Sequence, residues 1–393
     1  MSKHKYTMQD ANFWKITIGL GLSSFIIFAY LYVFQPLLPF FTNYFSISAT
    51  QSSFLISFSI LGLIAGLFIL GFLSDRYGRN SIIYFSLFGS VIPLILIPIS
   101  DSFYLILFLR FIQGFAIAGL PSTALAYISE EIDYKHAKIA VGFYISSNAV
   151  GGMLGRVISG YLTDIYSWQT TFYIIGIIGF IIALIVFIIL PKSNFFIPST
   201  TNISNDLTAF KSHLSNPLLF ILFGLGIILQ LSFTGIWTYL PFHLDQAPYN
   251  LSAQAIGYLF FAYIFGVIGP PISSSLANRF GTKKVRNSGM IILTIGLLLT
   301  MSTSLIVIII GLCIICFGFF TAHSLTATLV SETAEHHKGT ASSLYFIAYY
   351  TGVAIGSSIL GPVYENINWI GFVLIVSLLP LIYFIFIKIK AHQ

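Results

Sequence analysis

The segment "GFLSDRYGRN" occupies residues 71–80 and lies between two long apolar runs of the chain. It places Asp75, Arg76 and Arg79 close together and includes Gly78, which permits a tight backbone reversal. Residues 72–80 of this segment recur in weaker form as "SLANRFGTK" at residues 275–283, at an offset of 203. Two charged reversals at corresponding places of a mostly apolar chain indicate an internal duplication.

The composition of the 393-residue chain excludes an ordinary soluble protein. Hydrophobic residues make up 57% of the chain and charged residues only 8%, with a mean hydropathy of +0.92. Soluble domains carry about 25% charged residues. The first apolar run begins near Lys15 and is long enough to span a membrane, so we expect no cleaved signal peptide. Cys313 and Cys316 lie within an apolar run and are predicted to be small packing residues.

Twelve apolar runs have the length of a membrane-spanning helix, which needs about 20 residues. Their predicted bounds are 15–40, 52–73, 81–100, 103–128, 138–162, 170–190, 217–242, 254–276, 286–303, 305–330, 339–363 and 368–389. The sequence therefore predicts an all-α membrane protein with twelve transmembrane helices.

The distribution of basic residues predicts the orientation of these spans. Of the 18 Lys and Arg residues, 16 precede the first span, follow the last or lie in alternate loops, all on one side. The opposite loops instead carry Asp101, Asp164, Asp245 and Glu365. Because positive loops stay in the cytoplasm, both termini are predicted to be cytoplasmic. The net charge of +6 reflects this asymmetry and does not imply a nucleic-acid partner.

Further landmarks repeat between the two halves of the chain. Tyr144, Gly151, Gly155, Gly160 and Trp168 recur 201 residues later as Tyr345, Gly352, Gly356, Gly361 and Trp369. We therefore predict an N-terminal six-helix bundle at 1–190, a cytoplasmic linker at 191–216 and a C-terminal six-helix bundle at 217–393. Within the linker, residues 206–214 have the spacing of a short amphipathic helix, although a plain flexible linker fits as well.

The loop at 71–80 resembles the pattern G-x-L-x-D-R-x-G-R of the major facilitator superfamily, and the resemblance extends over the whole chain. The resemblance implies the major facilitator fold. It also implies a gating latch that stabilises one access state of the transporter. The latch residues would be Gly71, Asp75, Arg76, Gly78 and Arg79. The alternative, a simple positive-inside anchor, explains the arginines but not the aspartate and the glycines.

Two further segments are similar to family patterns. Residues 110–114, "RFIQG", match R-x-x-Q-G in the fourth span. Residues 151–160, "GGMLGRVISG", partly match the G-x-x-x-G-P-x-x-G-G pattern of the antiporter branch. Arg156 stands where the proline is expected and Ser159 replaces a glycine, so the proline kink is lost while close helix contact remains possible.

Arg110 and Arg156 are the two basic residues inside predicted spans, each roughly 10 Å below the outer surface at 1.5 Å per residue. A charge at that depth costs at least ~2.5–3.5 kcal/mol. All twelve Asp and Glu residues lie in loops or at span ends, so no deeply buried carboxylate is expected as a partner. Either Arg110 caps carbonyl groups and Arg156 snorkels outward, or at least one of them binds a carboxylate or phosphate.

The remaining candidate site residues are polar or aromatic groups inside the spans. The predicted substrate-binding residues are Arg110, Arg156, Gln113, Tyr32, Gln35, Asn148, Trp237, Tyr239 and Tyr349. The predicted proton-coupling residues are His323, which titrates near neutrality, and Asp75 in the latch. No catalytic, metal or cofactor site is predicted.

Together these features predict a monomeric secondary transporter of a bacterial-type plasma membrane, working by alternating access. The partial antiporter pattern favours proton-coupled efflux of a small amphipathic or carboxylate-bearing drug or metabolite, for instance a metal-chelating metabolite. An importer or facilitator of an organic anion and a transporter of a lipid-linked substrate are the alternatives. No enzyme motif such as H-E-x-x-H is present.

Overall fold

The computed structural model describes residues 4–198, 210–334, 336 and 338–391. Within them, ten helices are long and apolar enough to cross a membrane, and two others, α5 and α9, are 32 and 18 residues long. In chain order the twelve are α1 (Ala11–Phe45), α2 (Ala49–Tyr77), α3 (Arg79–Ile99), α4 (Phe103–Glu131), α5 (Tyr134–Ile165), α6 (Trp168–Ile189), α7 (Pro217–Asp245), α8 (Ala253–Phe280), α9 (Thr282–Leu299), α10 (Leu305–Thr333), α11 (Thr340–Asn366) and α12 (Trp369–Ile387).

These helices confirm the predicted all-α membrane fold, and each coincides with a predicted span. Several begin or end a few residues beyond the predicted bounds because charged residues join their terminal turns; α4, for example, continues to Glu131. α1 is interrupted by a 3₁₀ turn at Gln35–Leu37, where Pro36 lacks the N–H that a continuous helix requires. α5 runs unbroken, as expected from the absence of the family proline.

By contact, the chain divides into two compact units. Unit 1 contains Met1–Leu37, Phe58–Thr200 and Ser252–Tyr258. Unit 2 contains Leu38–Ser57, Thr201–Leu251 and Leu259–Gln393. Each unit thus takes a short piece of the other sequence half, while the division into two bundles and a linker stays a prediction from the sequence.

In unit 1, α5 packs directly on α1 through glycine. A Cβ atom on Gly151 would lie 2.0 Å from the carbonyl oxygen of Phe25, and one on Gly155 would lie 2.6 Å from the Cα of Ala29. Only glycine permits the two backbones to come this close. The small residues of "GGMLGRVISG" therefore set the distance between α1 and α5.

Unit 2 repeats this packing with α11 on α7. A Cβ atom on Gly352 would lie 2.5 Å from the carbonyl oxygen of Ile227, and one on Gly356 would lie 2.6 Å from that of Leu231. Residues 210–215 form a helical turn before α7, and Phe210 packs against a buried cluster that includes Leu219, Phe223, Val330 and Tyr345. Of the predicted amphipathic helix at 206–214, residues 206–209 lie outside the described residues.

Candidate functional site

Arg79 is the centre of the predicted latch between α2 and α3. The residue is 7% exposed. It forms an ion pair with Asp75, hydrogen bonds with the carboxylate of Glu130 at 2.7–3.2 Å, and a bond of 2.9 Å with Ser74 Oγ. The loop therefore joins α2, α3 and α4 through one guanidinium. Glu130 was not predicted as a site residue, although its Ser-Glu pair recurs in the second half at Ser331–Glu332.

The other latch residues have distinct environments. Gly78 adopts a φ of +96°, and Gly281, 203 residues later, adopts +90°, so both reversals use a conformation that favours glycine. The guanidinium of Arg76 lies 3.5 Å from the centre of the Phe72 ring. A Cβ atom on Gly71 would meet its nearest neighbour at 3.6 Å, an ordinary contact, so sterics do not require glycine there.

Glu131 is a fully buried carboxylate that the sequence analysis did not anticipate. Its Oε1 accepts hydrogen bonds from Ser193 Oγ at 2.6 Å and from the N–H groups of Asn194 at 2.7 Å and Phe195 at 2.9 Å. Three donors thus converge on one buried carboxylate oxygen. Glu131 thereby fixes the segment after α6 to the end of α4.

The segment before α1 is attached at the same place. Tyr6 forms a parallel backbone bridge with Ile132, and its hydroxyl accepts a hydrogen bond from Asn194 at 2.8 Å. Asp10, just before α1, accepts the Thr7 N–H at 2.7 Å, and this hydrogen bond lowers the pKa of the Asp10 carboxyl below its usual value. Both flanking segments of the first six helices therefore meet at the end of α4.

Arg110 of α4 is completely buried and caps the end of a helix. Its guanidinium donates to the carbonyl oxygens of Tyr30 at 3.1 Å and Leu31 at 2.8 Å, and to Gln113 Oε1 at 2.5 Å. The first α-helical part of α1 ends at Tyr32, so these carbonyls belong to its last turn, where the intrahelical partner is missing and the helix dipole is negative. This position compensates the buried charge.

Arg156 of α5 is 3% exposed and has a different kind of environment. It donates to Gln35 Oε1 at 2.6 Å and to the carbonyl oxygen of Gly152 at 2.6 Å. Its guanidinium lies 3.8 Å from the centre of the Tyr32 ring, within cation–π distance. The structure thus brings together Arg156, Gln35 and Tyr32, three of the predicted binding residues.

The predicted residues Gln113 and Asn148 lie on the two helices that carry Arg110 and Arg156. Gln113 holds Arg110 and donates to the Ser90 carbonyl at 3.1 Å, so it links α4 to α3. Asn148 lies on α5 two turns before Arg156 and is partly exposed. Since Arg110 holds the carbonyls just before Tyr32, it also fixes the turn that carries Tyr32 and Gln35.

Unit 2 holds an aromatic cluster around His323 of α10. His323 Nδ1 lies 2.9 Å from the Tyr345 hydroxyl, and its ring stacks on Phe319 and lies 4.7 Å from the Tyr349 ring. Phe233 joins this group to Trp237, because its ring stacks on Phe319 at 4.0 Å and lies 6.3 Å from Trp237. Trp237, His323 and Tyr349 therefore share one cluster.

Tyr239 lies in a separate group. Its hydroxyl donates to the Ser357 carbonyl at 2.7 Å, and its ring stacks on Tyr364 at 5.1 Å. In the part of the chain that the structure describes, the Trp237 indole N–H and the Gln230 side-chain oxygen are buried without a hydrogen-bond partner. No group of three or more His, Cys, Asp or Glu side chains arranged to hold a metal ion occurs among those residues.

Comparison with known proteins places this architecture in context. The model of the Major Facilitator Superfamily matches residues 20–357 and again 227–390. The uncharacterized MFS-type transporter YybF of Bacillus subtilis (strain 168) is 34% identical, covering 94% of this chain and 92% of the relative. The inner membrane transport protein YnfM of Escherichia coli (strain K12) is 32% identical, covering 91% of this chain and 86% of the relative.

Solved structures show the same fold at lower sequence identity. The nucleoside transporter NupG superposes with a TM-score of 0.79 at 16% identity, covering 95% of this chain and 99% of NupG. A D-xylose-proton symporter gives 0.76 at 16% identity, with coverage of 95% and 96%. A bacterial homologue of the human lysosomal transporter Spinster gives 0.73 at 19% identity, with coverage of 90% and 82%.

Proposed function

Because the chain belongs to the Major Facilitator Superfamily of membrane transporters, we propose that it exports a small amphipathic or carboxylate-bearing organic compound by proton-coupled alternating access. In this proposal, both termini lie in the cytoplasm, and the membrane that the protein spans is the bacterial inner membrane. The orientation follows from the basic residues on one side of the spans, and the membrane from the name of the relative YnfM.

The cluster around Arg156 is the observation that carries the substrate class. A guanidinium is a fork of fixed donors that matches a carboxylate, and burial strengthens its electrostatic attraction for an anion. Here it is held by neutral acceptors, Gln35 and Gly152, and by the face of Tyr32. The cluster therefore presents charge beside an aromatic surface, which suits a compound with an acidic group and an apolar body.

Arg110 takes a positioning role in this proposal. It saturates the end of the first part of α1 and, with Gln113, fixes α1 against α4. Its bonds set the place of Tyr32 and Gln35. Loss of Arg110 would then disturb the substrate cluster through α1.

Proton coupling is assigned to His323, with Asp75 as the second candidate. His323 lies among aromatic rings that can pack against the apolar body of a substrate, and binding a proton there during the cycle would change the charge of that surface. Asp75 would act through the latch with Arg79 and Glu130. Export is favoured over import by the partial antiporter pattern in α5.

The proposal can be tested with purified protein in proteoliposomes with an imposed pH gradient. The probes are pairs of compounds that differ only in a carboxylate and its methyl ester. We expect transport of the carboxylate driven by the proton gradient toward the side opposite the termini. Uptake in the reverse direction would favour the importer alternative, and equal transport of acid and ester would contradict the role of Arg156.

Arg286→Lys supplies a matched control for substitutions at Arg156. Arg286 is also buried, with 4% exposure, and bonds to the neutral side chain of Asn287 at 2.7 Å and 3.1 Å. It lies in α9, which belongs to unit 2, whereas the substrate cluster belongs to unit 1. A loss of acid transport that is equal in Arg156→Lys and Arg286→Lys would indicate general damage to buried arginines and would contradict the proposal.

A further inference from the structure

The start of α8 is capped by a residue from a distant part of the chain. Asp164 Oδ2, near the end of α5, accepts the Gln254 N–H at 2.9 Å. The helix's own cap, Ser252 Oγ, accepts the next N–H, that of Ala255, at 3.3 Å. One turn before Asp164, a Cβ atom on Gly160 would lie 2.4 Å from the Ala253 carbonyl oxygen, so α5 touches the start of α8 backbone to backbone.

The start of α2 has the same arrangement. Glu365 Oε1, near the end of α11, accepts the Thr50 N–H at 2.7 Å. The local cap, Ser48 Oγ, accepts the Gln51 N–H at 3.2 Å. One turn before Glu365, a Cβ atom on Gly361 would lie 2.3 Å from Thr50 Oγ1. Each acid therefore shares a helix face with a glycine four residues earlier.

The two arrangements are equivalent under the internal repeat. Gly160 and Asp164 correspond to Gly361 and Glu365 at an offset of 201. The capped amides of Thr50 and Gln254 differ by 204 positions, as do Ser46 and Asn250, which both have positive φ, at 51° and 47°. Unit 2 contains one arrangement and unit 1 the other. The same geometry at both copies indicates a feature of the repeat, since a chance contact would not recur.

The physical basis is the unpaired start of a helix. The first N–H groups of a helix lack intrahelical acceptors, and the dipole makes this end positive. A carboxylate satisfies one N–H and the charge at once, which a serine does not. Both bonds are exposed to solvent, so each is weak enough to break and reform during a cycle.

We propose that Asp164 and Glu365 are equivalent positioning residues of the transport cycle, each holding the start of a sequence-distant helix at the predicted outer side. Release of α8 from α5, and of α2 from α11, accompanies opening at that side. The inference rests on the alternating-access part of the proposed function and is independent of the substrate and of the Arg156 cluster.

We call each of the two contacts, Asp164 with the start of α8 and Glu365 with the start of α2, a clamp. The test measures the release of each clamp directly, with a cysteine reporter beside it. Ser57 of α2 is 3% exposed and its Oγ lies 2.8 Å from Ser357 Oγ of α11, and Ser159 of α5 is fully buried one residue before Gly160. Ser57→Cys or Ser159→Cys is introduced after Cys313 and Cys316 are changed to Ser. A membrane-impermeant maleimide is added to the outside of right-side-out membrane vesicles. Its rate of reaction with the cysteine then reports opening at the predicted outer side.

We expect Glu365→Gln to raise the labelling rate at residue 57, and Asp164→Asn that at residue 159, by about threefold to tenfold. Both changes keep a hydrogen-bond acceptor and remove only the charge. The matched control is Asp101→Asn, which removes an exposed carboxylate from another loop on the same predicted side. Unchanged labelling in both variants, or an equal rise in Asp101→Asn, would overturn the clamps.

Glycine substitution gives a second measurement that does not alter charge. A methyl group at Gly361 must displace Thr50, so Gly361→Ala should also raise labelling at residue 57, whereas Gly142→Ala, whose added methyl group meets nothing within 4 Å, should not. Labelling requires no substrate. Raised labelling in the clamp variants, with no export of any compound tested, would support the clamps and contradict the export proposal. Export with unchanged labelling in the clamp variants would support the export proposal and contradict the clamps.

Discussion

Unit 1 and unit 2 treat buried polarity in different ways. Unit 1 buries three arginines of its spans, Arg79, Arg110 and Arg156, and the carboxylate of Glu131, and gives each a set of hydrogen bonds. Unit 2 instead gathers rings around His323 and Trp237. Unit 2 also buries Arg286, so the contrast is one of degree: among the described residues, unit 1 buries more charged groups, and unit 2 surrounds a histidine with aromatic rings.

The contrast indicates a division of labour within one transporter. Buried charges in a membrane are costly unless fixed dipoles compensate them, and a cluster that keeps a guanidinium in place can recognise an acidic group. Stacked rings adapt to apolar bodies of varied shape. Substitutions can test whether the buried charges of unit 1 are structural, gating or binding elements, and whether His323 of unit 2 binds the coupling proton.

The largest effect is expected for Arg110→Leu. The change leaves the carbonyls of Tyr30 and Leu31 and the side chain of Gln113 without their donor in a buried place. We expect the free energy of unfolding to fall by about 2–4 kcal/mol, measured by SDS-induced unfolding in mixed micelles.

Arg156→Leu is the matched comparison for stability. This variant loses the hydrogen bonds that Arg156 donates to Gln35 and to the Gly152 carbonyl oxygen. Because Gly152 lies in the middle of a helix, its carbonyl oxygen still accepts its intrahelical hydrogen bond. A smaller loss of stability than in Arg110→Leu is therefore expected. If Arg156→Leu were the more destabilised variant, Arg156 would be the structural arginine and the contrast between the two would be reversed.

The next effect concerns the latch. Asp75→Asn removes the charge that faces Arg79, while the hydrogen bonds that Arg79 donates to Glu130 remain. We expect transport to fall by about tenfold or more, because charge-assisted bonds contribute about 1.5–3 kcal/mol, with expression near normal. The measurement is initial transport rate per folded protein in proteoliposomes.

Asp133→Asn is the control for the latch, because Asp133 caps the start of α5 and Asn caps a helix equally well. It removes a carboxylate at the same predicted side and should leave transport near wild type. Normal transport by Asp75→Asn would show that the loop is only a positive-inside anchor.

The sequence predicted the fold well because its signals are local or repeated. Apolar runs fix the spans, the loop at 71–80 fixes the family resemblance, and the offsets near 201–203 fix the duplication. Residues at helix ends were harder. Glu131 belongs by sequence to a charged turn, yet it is buried because the segments at 193–195 and Tyr6 fold over it, contacts that no periodicity encodes.

The candidate site was predictable in part for the same reason. Arg110 and Arg156 were evident as charges inside apolar runs, and Tyr32 and Gln35 as polar groups in α1. Their separate environments depend on which carbonyls lie at the broken end of α1, which is a property of the fold. Glu130, Asp164 and Glu365 have long-range partners and gave only the weak signal of recurring in the repeat.

A more selective effect is expected for Arg156→Lys, which keeps the charge but loses the planar fork of donors. Affinity for an acidic compound should fall roughly tenfold, as expected for a lost charge-assisted contact, and affinity for the matched ester should stay unchanged. Ligand-induced thermal stabilisation measures both. The control is Arg286→Lys, and equal losses for acid and ester would show that the charge in "MLGRVISG" is structural.

The smallest effect at a fixed pH is expected for His323→Gln. Glutamine can still hydrogen bond with the Tyr345 hydroxyl, now 2.9 Å from His323 Nδ1, so transport without a pH gradient should remain within about threefold of wild type. It cannot carry a proton, however, so the dependence of transport on pH should flatten.

Tyr345→Phe separates the loss of the proton carrier from the loss of the hydrogen bond. This variant removes the hydroxyl that meets His323 but keeps the imidazole, so its transport should still vary with pH, with the midpoint displaced. A flat profile in His323→Gln together with a displaced one in Tyr345→Phe would place the proton in unit 2. If His323→Gln kept the wild-type profile, the coupling role would pass to Asp75, and charge and proton would both belong to unit 1.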